Sequence, residues 1–224
     1  MIATSATSAT DELIRISDLH QGNIPADVAA NLDAVNEVLD WSENYLCKPH
    51  PELGRKGAVC PFVKSSMKKD LFYLSVYAKA VIDRSEITPM MREFGNFFLQ
   101  AEPTQGPEAI FKSLLVIFPN VSKENAPEII DAAQRQLIEE FAPKGIMVGE
   151  FHPATPNKVG LWNREFRPLY CPQSMLVIRH MVPFDILFLK NNKITTEAYI
   201  KYFGDKVPPN MQEHMDEAIE RFNL

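Results

Sequence analysis

At 224 residues and a net charge of −6, the chain is long enough for one sizeable hydrophobic core and short for two. Its acidity excludes a general electrostatic attraction to nucleic acid or to an anionic membrane surface. A content of 46% hydrophobic and 23% charged residues is that of a water-soluble globular domain, and no apolar run approaches the roughly twenty residues of a membrane span.

The first ten residues, MIATSATSAT, have neither the basic start nor the apolar core of a secretory signal. They read as a disordered tail over 1–10, with a single globular domain over 11–224. A short helix is expected over Asp11 to Leu19. A longer one runs from Pro25 to Cys47 with Val28, Leu32, Val35, Leu39 and Leu46 at helical spacing, and Pro49 and Pro51 end it. The segment Cys47 to Phe62 holds two glycines and three prolines among apolar residues that can be tucked in, so it reads as a structured loop. From Leu71 to Ala78, Phe72, Leu74 and Val76 alternate with Tyr73, Ser75 and Tyr77, the period of a strand. A helix follows over Glu86 to Ala101, and its Met and Phe stripe reads as core. Leu114 to Phe118 suits a central strand, and Ala126 to Phe141 a helix closed by Gly145.

Two strands, Ile146 to Phe151 and Met175 to Met181, then flank a loop of about twenty residues containing Pro153, Pro156, Pro168 and Pro172. Thr195 to Tyr202 and Pro209 to Phe222 read as terminal helices. The sum is an α+β (mixed α/β) single domain, a mixed sheet of about four strands covered by helices.

The strongly specific local motifs are absent: there is no phosphate-cradling glycine loop, HExxH, GxSxG or paired CxxC. Chemistry must therefore come from separated residues. His152, at a strand end beside Pro153 and two positions after Glu150, could bind iron or zinc, act as a base, or hydrogen-bond the loop. His180 reads as a buried histidine satisfied by a backbone partner, facing away from its neighbour Arg179. Arg55, Arg167 and Arg179 could hold carboxylates bidentately or pin loops through internal ion pairs. Cys47, His50 and Cys60, with His152 or Cys171, give a zinc reading whose spacing is not one of the usual patterns. Three cysteines cannot all pair within the chain, so a reduced, cytoplasmic protein is expected.

The segments LGRKGAVCPFV (Leu53 to Val63), MVGEFHP (Met147 to Pro153), FRPL (Phe166 to Leu169) and IRHMVPFD (Ile178 to Asp185) together resemble a bacterial domain family often met near biosynthetic genes. More distantly the chain is similar to the YqcI/YcgG family, which includes haem-dependent N-oxygenases such as the N-hydroxylase of guanitoxin biosynthesis and the enzyme that makes the nitro group of azomycin. The resemblance implies haem b with His152 as axial ligand, Pro153 shaping the turn, and Cys60 and Pro61 at the early cysteine–proline motif. Where those enzymes carry serine and arginines after the histidine–proline pair, this chain has Ala154, Thr155, Pro156 and Asn157, so propionate anchoring passes to Arg167 and Arg179. Glu150 would serve proton delivery. The implied activity is oxidation of the nitrogen of a small amine, guanidine or amino acid by oxygen or peroxide, with an electron donor. Apart from the resemblance, a homodimer is one assembly open to the chain, and its acidity leaves nucleic acid and membrane out of the expected partners. The alternatives are a non-catalytic small-ligand or haem-binding module and a zinc-dependent hydrolase.

Overall fold

The structure is a computed structural model describing residues 9–80, 82–155 and 166–224. Most of the expected tail, and Pro156 and Asn157 of the long loop, lie outside the described residues. In chain order come β1 (Ile14–Arg15), α1 (Ile16–Gln21), α2 (Ala26–Ala30), α3 (Leu32–Trp41), α4 (Val63–Lys68), β2 (Phe72–Val76), α5 (Arg84–Gln100), β3 (Ser113–Ile117), α6 (Ala132–Phe141), β4 (Ile146–Phe151), β5 (Met175–His180), α7 (Ile186–Leu189), α8 (Lys193–Phe203) and α9 (Gln212–Phe222).

One mixed sheet in the order β1-β2-β3-β5-β4 organises them. Only β2 and β3 run parallel, joined through α5, while the other neighbours are antiparallel. The run Leu114 to Phe118 lies at the middle of the sheet, as continuous apolarity implies for a strand buried on both faces. The fifth strand was not expected: Ile14 and Arg15 pair with Leu74 and Tyr73, where a short helix was read. A strand of two residues shows no period of its own, and the partner's edge alone defines it.

Side-chain alternation sorts the sheet into two faces. Leu114, Val116, Ile146, Val148, Leu176 and Ile178 pack against α5 and α6. Gly95 in α5 permits that approach, since a Cβ there would come within 2.7 Å of Phe141 Cζ. Phe72, Leu74, Val76, Leu115, Ile117 and Met175 face the N-terminal helices instead. The C-terminal helices close a third cluster on Met147, Met181 and Tyr199.

The expected helix from Pro25 to Cys47 is interrupted. Asn31, at φ −124° and ψ 28°, separates α2 from α3, and residues Ser42–Leu46 wind as a π-helical turn. Each break resets the helical phase. Leu32 is consequently left 36% exposed, while Val35, Val38, Trp41 and Ser42 form the buried stripe. Gly145, at φ +78°, makes the expected left-handed cap.

Candidate functional site

On the face of the sheet toward α3 lies a cavity of about 920 Å³. Its floor is Phe72, Leu115, Met175 and Val177 from three adjacent strands; its walls include Leu46, Phe62, Phe166 and Leu187 from the surrounding helices and loops. At the open edge of the sheet the cavity also meets Gly149 and Glu150 of β4 and Gln134 and Glu139 of α6. The walls are mostly apolar, so any polar group in them is conspicuous.

Two such groups sit together where α3 ends. Trp41 and Ser42 line the cavity, and Trp41 Nε1 and Ser42 Oγ are buried without a hydrogen-bond partner among the described residues. An indole N–H can only donate, and a serine hydroxyl can donate or accept. Leaving both unpaired costs on the order of 1–3 kcal/mol each. Ser66 and Ser113 also line the cavity, and their Oγ atoms, 2.9 Å apart, satisfy one another.

The structure brings Cys60, Pro61, Glu150 and Arg179 to this cavity. Glu150 is 4% exposed and stands in register with Leu176 on the edge strand. Arg179 points into the cavity side of β5 but is already engaged. Its Nη1 and Nη2 donate to Asp185 Oδ2 and Oδ1 at 2.7 and 2.6 Å, and Nη1 also donates to the His180 carbonyl. Burial of the guanidinium works against its charge, and the Asp185 carboxylate outweighs this and raises its pKa. It is thus an internal ion pair that pins the segment after β5, rather than an anchor for a haem propionate. Arg167 is exposed and stands outside the cavity lining; its carbonyl accepts from Tyr45 Oη at 3.1 Å.

His152 also stands apart. It is 0% exposed, its Nε2 lies 2.7 Å from Asp131 Oδ1, and its Nδ1 accepts the Ala154 N–H at 3.2 Å. Because Nδ1 accepts, the proton sits on Nε2 and is donated to the carboxylate. Neither ring nitrogen is open toward the cavity, so the residues present do not fit a haem held through His152. The same two hydrogen bonds supply the loop-bonding role that was the other reading of this residue.

The zinc reading finds no support in the geometry. His50 Nδ1 accepts the Glu52 N–H, and Cys171 is buried, its thiol pushed up to about 12 by burial. Among the described residues no three His, Cys, Asp or Glu side chains converge to hold a metal. His180 differs from expectation as well: Nε2 is buried with no partner among the described residues, and the ring packs on Phe98. Burial and the nearby Lys112 charge push its pKa down to about 4.

Sequence reading missed Lys112, which is 1% exposed and donates to the carbonyls of Phe98 and Ala101 at the end of α5. Burial pushes its pKa from 10.5 down to about 8. Between those values the unfolded chain binds more protons than the folded one, so stability rises with pH across that window. Urea unfolding is expected to show a gain on the order of 2 kcal/mol from pH 8 to 10 that Lys112→Met abolishes. An equal gain in the variant would refute this.

Fold and site together define an α+β domain with a mostly apolar cavity against one face of its sheet. The chain belongs to the family described as a domain of unknown function (DUF6875), whose profile matches residues 35–214. No curated protein and no solved structure matches it. The matched span holds the cavity floor, Trp41 and Ser42, and the Arg179–Asp185 pair. No helix among the described residues is long and apolar enough to cross a membrane.

Proposed function

We propose that this domain binds an apolar small molecule bearing a hydrogen-bond acceptor, seated on the sheet face between Val177 and the end of α3. The observation that carries this reading is the pair of buried donors without a partner among the described residues, Trp41 Nε1 and Ser42 Oγ, in residues that line a mostly apolar cavity. A carbonyl, carboxylate or sulfonate oxygen would satisfy them, while the body of the ligand buries apolar area worth roughly 25 cal/mol per Å². This is the small-ligand module among the readings of the sequence. The haem-dependent N-oxygenation that the YqcI/YcgG resemblance implies would need an iron ligand open to the cavity, which His152 does not offer.

The chain has two tryptophans, so Trp162→Phe leaves Trp41 as the only indole. Titration of that protein with the apolar sulfonate 1-anilinonaphthalene-8-sulfonate is expected to quench Trp41 emission saturably. Val177→Phe, which fills the floor, is expected to weaken binding by at least about tenfold, equivalent to ~1.4 kcal/mol. Binding that leaves Trp41 emission unchanged, or that Val177→Phe does not weaken, would exclude this cavity as the site.

A further inference from the structure

We infer that Cys47 and Cys60 form an oxidisable dithiol, a site at which a peroxide converts two neighbouring thiols into an intramolecular disulfide. The segment between them doubles back on itself. Pro51–Leu53 makes a single 3₁₀ turn, and Gly54 and Gly57 take φ values of +73° and +97°. Pro49 then bridges Ala58 in antiparallel sense, the Val59 N–H donates to the Lys48 carbonyl at 2.9 Å, and the Cys60 N–H donates to the Leu46 carbonyl at 2.9 Å. Lys48 faces Val59 across the bridge register, and one step further the register shifts: the Cys60 N–H bonds the carbonyl of the peptide that joins Leu46 to Cys47. Cys60 is thereby held against the backbone of Cys47, where the turn that caps the Ser42–Leu46 segment places it, and a disulfide asks for Cα atoms about 4.4–6.8 Å apart.

Both thiols are free and partly exposed, whereas Cys171 is buried. Burial raises the pKa of the Cys47 thiol, and the neighbouring Cys60 adds to this. Burial that holds Cys171 near 12 keeps it protonated and out of the reaction.

The chemistry consumes one hydrogen peroxide. The thiolate sulfur of one cysteine attacks a peroxide oxygen, the O–O bond breaks, and hydroxide leaves, giving a sulfenic acid. The second thiolate attacks that sulfur, forms the S–S bond and expels a second hydroxide. The two thiol protons convert both hydroxides to water, and the two electrons lost by sulfur reduce the peroxide. The product would close the loop carrying Leu53, Val59 and Cys60, all of which line the cavity.

The test is to treat the reduced full-length protein with a small excess of hydrogen peroxide, block the remaining thiols with N-ethylmaleimide in urea, and measure intact mass and a tryptic map. The expected result is a mass loss of about 2 Da before blocking, a single alkylated cysteine at Cys171, and peptides 16–55 and 57–64 linked until dithiothreitol is added. In Cys47→Ser the mass loss is expected to vanish, and Cys60 becomes trappable by dimedone as sulfenic acid. Three alkylated cysteines after peroxide, oxygen added to Cys60 of the unaltered chain, or a disulfide between two chains would each overturn the inference.

Discussion

Replacing His152 with alanine is expected to destabilise the protein by about 3 kcal/mol, because three losses coincide at one fully buried position. The imidazole leaves a void beside the strand end. The Asp131 carboxylate, with its side chain 14% exposed, loses the donor 2.7 Å away, and an acid stripped of its partner in a mostly buried place is the costly half of a broken pair. The Ala154 N–H loses its acceptor, which loosens the turn in which the Thr155 hydroxyl donates to the His152 carbonyl. Urea unfolding of wild type and variant, each with and without added haemin, measures the effect. The same loss is expected in both conditions, because the histidine's work is done within the fold. A variant of wild-type stability that also lacks a haem absorption band shown by the wild type would reverse this conclusion and restore His152 as an iron ligand.

The contrast between what the sequence made legible at His152 and what it did not has a physical origin. Ile146 to Phe151 was readable as a strand because its apolar run has strand length and Gly145 marks its start, and β4 has those bounds. The strand end and the histidine–proline turn were therefore visible. The partner was not: Asp131 sits 21 positions earlier, in the π-helical turn Pro127–Asp131 that precedes α6. One inserted residue in that turn rotates the helix face, so spacing alone could not aim Asp131 at the sheet. Trp41 and Ser42 were hidden in the same way. Projecting a continuous helix from Val28 placed Leu32 and Leu39 in the core, and only the break at Asn31 turns Val38, Trp41 and Ser42 inward. The opposite facing of Arg179 and His180, by contrast, follows from strand alternation and is what the structure has: Arg179 on the cavity side, His180 against Phe98 of α5.

The second large effect is expected at Asp185, which the sequence shows only as the last residue of a VPFD segment. Its side chain is 2% exposed and takes hydrogen bonds from both Arg179 terminal nitrogens and, at 2.7 Å, from the Val182 N–H. Asp185→Ala leaves a partly buried guanidinium without the Asp185 counter-charge, holding only its bond to the His180 carbonyl, and leaves the Val182 N–H without its acceptor. The change is expected to cost about 3–4 kcal/mol. Arg179→Met leaves the carboxylate uncompensated and is expected to cost a similar amount. The informative variant is the double one. With both charges gone no uncompensated ion remains, so Arg179→Met with Asp185→Ala is expected to be more stable than either single variant, a coupling of at least about 1 kcal/mol in a denaturant series. That coupling is the signature of an arginine committed to the fold. If each single variant instead loses less than about 1 kcal/mol, the value of an ordinary exposed ion pair, the guanidinium is available to a ligand's carboxylate, and the anion-holding role that its place in the sequence implied would stand on the floor of the same cavity.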